Sequence, residues 1–330
     1  MCTAATYTGK DHYFGRNLDL ELSYNESVTV TPRKFPLKFH QVHDMNEHFA
    51  IIGMAFVAEG YPLYYDATNE KGLSMAGLNF PGNADYKEPA EDVDNVASFE
   101  FIPWILGQCE TVADVRKLLA KINITNVEFS EQFPPSPLHW MISDKNESIT
   151  VEQTKAGLNV YDNPVGIMTN NPEFPFQMFT LNNYRRVSPK PVASTFADGL
   201  ELDEYTRGMG SMGLPGDLSS NSRFVKATFT KLNAPKMADE NTSVSQFFHI
   251  LGSVEQQKGC CDVGNGKFEF TIYSSCCNVD RGIYYYKTYD NSQITAVDMH
   301  KEDLDSAALK SYKLIEEQQI FAPLPSILCD

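Results

Sequence analysis

The short connections between strand-like segments are the feature that most constrains the fold of this chain. Neighbouring segments rich in Thr, Tyr, Val and Ile are separated by turns of a few residues, as at Gly9-Lys10-Asp11 and Asp144-Lys145-Asn146. Parallel strands need a crossover of about a dozen residues or more, usually a helix. These turns therefore predict antiparallel pairs and exclude a doubly wound parallel sheet.

Hydrophobic periodicity predicts where the strands and helices lie. Helices are predicted at 97–108 and 111–122, in the segment that carries Arg223, with Ser220 or Asn221 as its N-cap, and around the apolar positions 244–254. The order of strands, two helices, strands, helices and strands favours two antiparallel sheets stacked face to face with helices outside. The sequence predicts one strand pair at 138–143 and 148–153, a second pair at 158–161 and 165–169, and further strands at 3–7, 13–17, 27–31, 49–57, 61–66, 73–80, 268–275, 282–288 and 293–298.

Length and charge narrow the classes of function. A chain of 330 residues, 42% of them hydrophobic, can bury a large core in one domain or two. The formal charge of −16 argues against binding to nucleic acid or to an anionic membrane, because both need clustered Lys and Arg. The sequence shows no apolar run long enough to span a bilayer and no export signal. We therefore expect a cytoplasmic protein.

The cysteines and histidines do not suggest a metal site or disulfide bonds. An odd number of cysteines in a chain without an export signal is not typical of a disulfide framework. The vicinal pairs Cys260-Cys261 and Cys276-Cys277 lack the spacing with which two thiolates hold one zinc ion, and the three histidines of the loop 33–48 are irregularly spaced. We expect structural thiols, no metal and no cofactor. The seven cysteines are residues 2, 109, 260, 261, 276, 277 and 329.

The second residue of the chain has the chemistry of a nucleophile. If Met1 is removed, Cys2 becomes the N-terminus and holds a thiol and a free α-amine on one residue. A thiolate attacks acyl carbonyls well, and an α-amine with a pKa of about 7.7–8.0 is a usable base at neutral pH. The first hairpin is expected to bring Arg16 and Asp19 toward Cys2, where a cation lowers the pKa of a thiol and a carboxylate orients an ammonium group. In the alternative interpretation, Cys2 is only a small apolar residue at the start of a strand, and Arg16 and Asp19 form an ion pair on the surface.

Two asparagines and two phenylalanines are further candidates. Asn79 and Asn170 each stand at the end of a predicted strand, where an amide can donate to a carbonyl oxygen, although asparagine is also a common turn residue. Phe129 and Phe133 belong to a proline-rich loop, where aromatic side chains suit an apolar ligand or simply anchor the loop. The glycine-rich segment 188–217 lacks the Walker pattern, so we interpret it as an ordered loop or an oligomer contact.

Seven motifs give the chain a family resemblance. They resemble, in this order and over essentially the whole chain, the choloylglycine hydrolase family, in particular its bile salt hydrolases from gut lactic-acid bacteria. The motifs are M-C-T at the start, F-G-R-N-L-D (14–19), N-E-K-G-L-S-M-A-G-L-N-F (69–80), L-H-W-M-I-S-D (138–144), M-T-N-N-P (168–172), G-L-P-G-D-L-S-S-N-S-R-F (213–224) and Y-Y-Y-K-T-Y-D-N-S-Q-I (284–294).

The resemblance implies a fold, an assembly and a set of site residues. The fold is an N-terminal-nucleophile hydrolase of the α+β class, with a four-layer αββα core of two stacked, mainly antiparallel sheets flanked by helices. The chain would form a single domain over residues 1–330, lose Met1 on maturation and assemble as a cytoplasmic homotetramer. The implied catalytic residues are Cys2 as nucleophile and base, Arg16 beside the thiol, Asp19 on the N-terminal group, Asn79 and Asn170 as the oxyanion hole, and Arg223 at the polar end of the site. The implied sterol contacts are Leu18, Asn79, Phe129 and Phe133.

The activity that the resemblance implies is hydrolysis of the amide bond of glycine- and taurine-conjugated bile salts through a thioester. The substrate would therefore be a small molecule with an apolar acyl part. One alternative is a penicillin V acylase, which shares most of the motif positions but commonly has Tyr at the position of Asn79. Another is a non-catalytic sterol-binding protein on the same scaffold. The preference between glycine and taurine conjugates stays open.

Overall fold

A computed structural model describes residues 1–321 of the chain. Within this range eighteen strands and five α-helices follow one another, with three short 3-10 turns at Leu181–Tyr184, Met209–Ser211 and Met299–Lys301. The helices are α1 (Phe101–Leu106), α2 (Val112–Leu119), α3 (Phe174–Thr180), α4 (Ser220–Asn233) and α5 (Glu240–Gly252). The strands are β1 (Cys2–Thr8), β2 (His12–Leu20), β3 (Ser27–Thr31), β4 (Ile51–Ala58), β5 (Tyr61–Asn69), β6 (Ser74–Asn79), β7 (Asp94–Ala97), β8 (Ile122–Thr125), β9 (Leu138–Ser143), β10 (Ser148–Thr154), β11 (Gly157–Asp162), β12 (Ile167–Met168), β13 (Asp262–Gly264), β14 (Lys267–Phe268), β15 (Phe270–Asn278), β16 (Ile283–Thr288), β17 (Thr295–Asp298) and β18 (Lys310–Lys313).

Two large antiparallel sheets form the centre of the protein. One has six strands in the order β12-β1-β2-β15-β16-β17, and the other has eight in the order β11-β10-β9-β6-β5-β4-β3-β18. The two remaining sheets are small pairs, β13 with β14 and β7 with β8. The sequence-based expectation of antiparallel sheets is confirmed for both large sheets.

Three clusters of buried residues define four layers. The middle cluster joins Ala4 and Phe14 of the six-stranded sheet to Ile52 and Met54 of the eight-stranded sheet. Neighbouring residues on the same strands point the other way, because side chains alternate between the two faces of a strand. Ile51 therefore belongs to the cluster that packs α1 and α2 on the eight-stranded sheet. Ala5 belongs to the cluster that packs α4 and α5 on the six-stranded sheet. This αββα arrangement confirms the expected fold class.

The structure corrects three local predictions. Strand β11 pairs with β10 in one sheet, whereas β12 pairs with β1 in the other, so 158–161 and 165–169 are not partners. Strands β7 and β8 are parallel, with helices α1 and α2 between them. Those two helices are consequently shorter than predicted, because residues 97 and 122 belong to strands. The N-cap of α4 is Ser219, whose side chain accepts from the backbone N–H of Ser222.

The first hairpin determines which residues surround the chain start. In the register of β1 and β2, Cys2 is opposite Leu18 and Ala4 is opposite Arg16. Arg16 and Leu18 therefore share with Cys2 the face that looks toward the second sheet, and Asp19 lies on the face that looks toward the helices.

Residues 1–321 contain neither a membrane-spanning helix nor a disulfide bond. No helix in this range combines the length and the apolar character needed to cross a bilayer. The six cysteines in this range are all free thiols, and burial raises the pKa of Cys277 to about 12. Cys329 lies outside the described residues.

Candidate active site

Cys2 is buried at the start of the central strand β1. Only 2% of its surface is exposed, and its backbone N–H donates to Oδ1 of Asn170 at 2.7 Å. Met1 still precedes it in this chain. The α-ammonium of Met1 donates to the carbonyl oxygen of Asp19 at 2.6 Å and lies 2.7 Å from Oε1 of Glu269. Loss of Met1 would turn the N–H that now faces Asn170 into the α-amine of Cys2.

Arg16 is completely buried on the same face of the hairpin. Its Nη1 donates to the backbone oxygens of Gly77 at 2.6 Å and Tyr65 at 3.0 Å. Its Nη2 is buried without a hydrogen-bond partner among the described residues. Burial alone would lower the pKa of Arg16, but the ionisable groups of Cys2, Tyr273 and Asp66 raise it above its usual value. The guanidinium is therefore a permanent charge with unused donors.

Asp66 is a buried carboxylate near Arg16 that the sequence analysis did not single out. It accepts hydrogen bonds from the hydroxyls of Tyr273 at 2.7 Å, Tyr284 at 2.7 Å and Ser275 at 3.1 Å. Burial raises its pKa, while Arg16 and these hydroxyls oppose the rise. The only sequence signal is the Asp that ends the otherwise apolar and aromatic run Y-P-L-Y-Y-D.

Asp19 lies on the helix side of the six-stranded sheet, as the alternation along β2 requires. Its carboxylate accepts from the hydroxyl of Thr271 at 2.6 Å and from Nε2 of Gln256 at 3.4 Å. Its backbone N–H donates to the oxygen of Met1 at 2.9 Å. Burial raises its pKa, and the charges of Arg223 and the N-terminus oppose the rise. With Met1 in place, Asp19 thus contacts the chain start through its backbone.

The two candidate oxyanion residues are joined directly. Nδ2 of Asn170 donates to the backbone oxygen of Asn79 at 2.8 Å. Oδ1 of Asn170 accepts from Cys2 and from Nη2 of Arg223, so the orientation of this amide is fixed at three points. The backbone N–H of Asn170 donates to the hydroxyl of Ser220 at 2.9 Å. Asn79 borders the cavity described below, whereas Asn170 is not among the residues of its wall.

Arg223 projects from α4 toward the back of the same residues. It donates to the backbone oxygen of Cys2, to the hydroxyl of Thr3 at 2.7 Å, to Asn170 at 2.8 Å and, through Nε, to the oxygen of Leu218 at 2.9 Å. Burial lowers its pKa, although the carboxylate of Asp19 at 3.9 Å acts in the opposite direction. Arg223 does not belong to the cavity wall, and it contacts the backbone of Cys2 and the side chain of Asn170 from the helix side of the sheet.

A cavity of about 570 Å³ opens beside Cys2 and Arg16. Its walls are mainly apolar and aromatic, and they include Leu18 and both phenylalanines of the proline-rich loop. The rings of Phe129 and Phe133 are 6.1 Å apart, and Phe129 also packs edge-on against Phe99 at 5.3 Å. A cavity of this size and composition suits one apolar small molecule. Apolar and aromatic wall residues that were not predicted from the sequence include Leu20, Tyr24, Phe56, Leu63, Tyr64, Tyr65, Phe99, Ile102, Leu138 and Trp140.

The family is decided by comparison with known proteins. A family model described as linear amide C-N hydrolases, choloylglycine hydrolase family, matches residues 2–312. The chain belongs to the choloylglycine hydrolase family. This choloylglycine hydrolase is 59% identical to a bile salt hydrolase/transferase of Lactiplantibacillus plantarum, over 98% of this chain and 99% of the relative. It is 39% identical to a bile salt hydrolase/transferase of Clostridium perfringens, over 95% and 97% of the two chains.

Solved structures agree with the αββα fold of this choloylglycine hydrolase. A mutant conjugated bile acid hydrolase from Clostridium perfringens superimposes with a TM-score of 0.91 at 37% identity, covering 98% of this chain and 99% of the other. A penicillin V acylase from Agrobacterium tumefaciens superimposes with a TM-score of 0.75 at 18% identity, covering 94% and 90%. The second similarity concerns the fold alone.

Proposed function

We propose that the protein is a bile salt hydrolase that cleaves the amide bond of glycine- and taurine-conjugated bile salts. One observation supports this function: a cysteine at the second position of the chain and an arginine with unused hydrogen-bond donors line the same, mainly apolar cavity. Cys2 and Arg16 border the same cavity as Leu18, Phe129 and Phe133. Burial of an apolar acyl group supplies about 25 cal/mol for each Å² removed from water, which suits a steroid skeleton.

We propose that removal of Met1 activates the site. The new α-amine of Cys2 keeps Asn170 as its hydrogen-bond partner, because the Cys2 nitrogen already lies 2.7 Å from Oδ1 of that residue. The departure of Met1 also frees the backbone oxygen of Asp19 and the carboxylate of Glu269. Both are acceptors that an α-ammonium can use. Arg223 fixes the carbonyl of Cys2, so the nucleophile has little freedom to turn away.

The reaction follows from this arrangement. The α-amine takes the thiol proton and the sulfur attacks the amide carbonyl carbon, while donors at Asn79 and Asn170 meet the oxyanion. The carbon–nitrogen bond breaks, and the α-ammonium gives its proton to the departing nitrogen of glycine or taurine. Water then attacks the thioester, with the α-amine as base, and the thiol is restored as the free bile acid leaves. The charge of Arg16 stabilises the thiolate and lies within reach of an anionic leaving group.

Arg223 is not expected to contact the anionic glycine or taurine group of the substrate. The family resemblance implies a place beside the thiol for Arg16 and a place at the polar end of the site for Arg223. In the described part of the chain the cavity wall contains one Lys or Arg, namely Arg16, and one acidic residue, Glu21. We therefore assign substrate contact to Arg16 and a positioning role to Arg223.

A second candidate activity is transfer of the acyl group to an amine. The relative that is 59% identical is named a hydrolase/transferase. A thioester that water can attack is also open to an amine, which forms a new amide and restores the thiol. Incubation with a conjugated bile salt and an excess of a free amino acid, followed by mass spectrometry, would detect the new conjugate.

We also propose that the chain acts as one domain and assembles as a cytoplasmic homotetramer. Support for one domain comes from β18, which pairs with β3 across almost the whole sequence. Support for an assembly comes from large apolar side chains that are exposed within the loop 188–217 and the neighbouring helix α3. They include Phe179 at 71%, Phe196 at 81% and Tyr205 at 79% exposure. Analytical ultracentrifugation of the purified protein measures the assembly.

The decisive experiment offers three substrates to the purified protein. Glycocholate, taurocholate and penicillin V are incubated with the wild type and with Cys2→Ser, and glycine, taurine and 6-aminopenicillanate are measured. Rapid release from the bile salts, abolished by Cys2→Ser, is the expected result, together with an intact mass that lacks Met1. Release from penicillin V alone would favour the acylase, and no release from folded protein lacking Met1 would favour a sterol-binding protein.

A further inference from the structure

A buried pair of ionisable side chains lies directly behind the two candidate oxyanion residues. His139 of β9 and Glu152 of β10 are both completely inaccessible to solvent, and Nδ1 of His139 is 3.0 Å from Oε1 of Glu152. Neither residue borders the cavity. Charged groups are rarely buried unless they are paired, and breaking such a pair is costly. This pair therefore needs an explanation that the reaction described above does not give.

His139 contacts the segment that carries Asn170. Its Nε2 lies 2.8 Å from the backbone oxygen of Thr169, the residue before Asn170. A carbonyl oxygen can only accept, so Nε2 carries a hydrogen and donates it. The carboxylate of Glu152 accepts in addition from the backbone N–H of Phe174 at 3.0 Å. The pair thus holds both ends of the turn 169–174.

His139 also contacts the segment that carries Asn79. Its ring stacks on that of Phe80, the residue after Asn79, with centroids 4.2 Å apart and planes 5° from parallel. In the register of β6 and β9, His139 is opposite Leu78, the residue before Asn79. One imidazole therefore touches a direct neighbour of each candidate oxyanion residue.

We propose that His139, held by Glu152, is a positioning residue that sets the separation of Asn79 and Asn170. The hydrogen bond to Thr169 fixes Asn170, the stacking contact fixes Asn79, and Glu152 fixes the imidazole between them. Oxyanion donors act only when they lie about 2.7–3.1 Å from the developing charge, so a small displacement of either asparagine reduces turnover. The inference rests on the proposed amide hydrolysis, since it concerns the carbonyl oxygen of that reaction.

Two variants of His139 separate its contacts. His139→Gln can place an amide nitrogen near the position of Nε2 and keep the donor to Thr169. His139→Asn is shorter, so it reaches toward Glu152 but leaves the oxygen of Thr169 without its donor. His48 is the matched control, because it is also buried, at 8% exposure, and both of its ring nitrogens lie within hydrogen-bond distance of backbone oxygens, those of Phe49 and Phe35.

The expected result is a lower kcat with an unchanged KM and an unchanged reactivity of the Cys2 thiol. Loss of a complete oxyanion donor costs roughly 100- to 1000-fold in kcat, and a displaced donor costs less. We expect His139→Asn to lower kcat for glycocholate about 10- to 100-fold with KM within about twofold of wild type. His139→Gln restores most of the activity. Alkylation of Cys2 by iodoacetamide, which forms no oxyanion, proceeds at the wild-type rate in both variants, and His48→Gln keeps the wild-type kcat.

Two outcomes would overturn the proposal. In one, His139→Asn lacks Met1, is alkylated normally and retains the wild-type kcat. In the other, alkylation falls in parallel with kcat, which would mean that His139 supports the nucleophile or the fold. If His139→Asn does not fold, Glu152→Gln decides, because it replaces the carboxylate that fixes the imidazole with a neutral amide of the same size. An unchanged kcat would contradict the proposal, and a lowered kcat with normal alkylation would support it. Failure of the wild type to release glycine would instead refute the proposed hydrolysis.

Discussion

Two completely buried arginines stand on opposite sides of the first hairpin, and they differ in what they hold. Arg16 lies between the sheets, donates to backbone oxygens of Tyr65 and Gly77, and keeps Nη2 free of any described partner. Arg223 lies on the helix side, where all three of its nitrogens have acceptors: Nη1 and Nη2 donate to Cys2, Thr3 and Asn170, and Nε donates to Leu218. The pKa of Arg16 is raised above its usual value, because nearby ionisable groups outweigh the effect of burial. The pKa of Arg223 is lowered, because burial outweighs the charges around it.

The two arginines differ because they lie on opposite faces of the strand pair β1–β2. Because side chains alternate along β1 and β2, the thiol and one cation face the cavity, and the carboxylate of Asp19 and the other cation face the helices. Arg16 has no carboxylate within 4 Å among the described residues, whereas Arg223 is 3.9 Å from Asp19. Loss of Arg16 should therefore affect mainly the reaction, and loss of Arg223 should affect mainly the structure.

The largest effect is expected from Arg223→Met. It leaves the buried carboxylate of Asp19 without its nearest cation and the side chain of Asn170 without one of its three hydrogen bonds, so we expect stability to fall by about 3–5 kcal/mol. Urea denaturation measures this change, with Arg281→Met, which removes a half-exposed arginine, as the control. A stability within about 1 kcal/mol of wild type would contradict the assignment of Arg223 as a support.

Arg16→Met tests the other arginine. We expect it to lower kcat/KM for glycocholate about 100- to 1000-fold, because the thiolate and the anionic substrate lose their nearby charge. Alkylation of Cys2 by iodoacetamide at pH 7 should slow as well. The loss of stability should be smaller than in Arg223→Met. Equal destabilisation of the two variants would contradict the different roles assigned to Arg16 and Arg223.

His12 is a third buried basic residue, and it lies on the same strand, β2, as Arg16. Burial first, and then the charge of Lys231, lower its pKa to about 4, while Asp280 and Asp144 oppose the shift. Between pH 6.5 and about 4 the unfolded chain binds a proton that the folded chain does not, so stability falls with decreasing pH by at most about 3 kcal/mol. His12→Gln should remove this part of the pH dependence in urea denaturation. The exposed His43→Gln should not, and identical slopes for both variants would contradict the prediction.

The smallest effect is expected at the apolar end of the site. Phe133→Ala removes an aromatic side chain from the cavity wall, and the lost contact of about 1.5 kcal/mol should raise KM for glycocholate roughly tenfold. The kcat should stay close to that of wild type, because the reacting groups are untouched. Phe229→Ala, a half-buried phenylalanine of α4 outside the cavity, is the control. A fall in kcat with unchanged KM would place Phe133 closer to the reaction than the cavity suggests.

The sequence predicted much of this fold because the relevant signals are local. Alternating side chains and short turns revealed the hairpins β1–β2 and β9–β10. The pattern failed where pairing depends on distant segments. Residues 158–161 and 165–169 are adjacent in sequence but belong to different sheets, and no local period distinguishes these outcomes.

The sequence alone determined the chemical groups of this protein: a cysteine that follows the initiator methionine, the asparagines at strand ends, and the motifs of the choloylglycine hydrolase family. Only the tertiary structure decided which of these groups border the cavity. It placed Arg16 at the cavity and Arg223 behind Cys2, and it brought His139 and Glu152 against the turn 169–174, which carries Asn170. The reason is physical: residue types carry charge and reactivity by themselves, but burial and partners arise only when strands far apart in the chain are packed together.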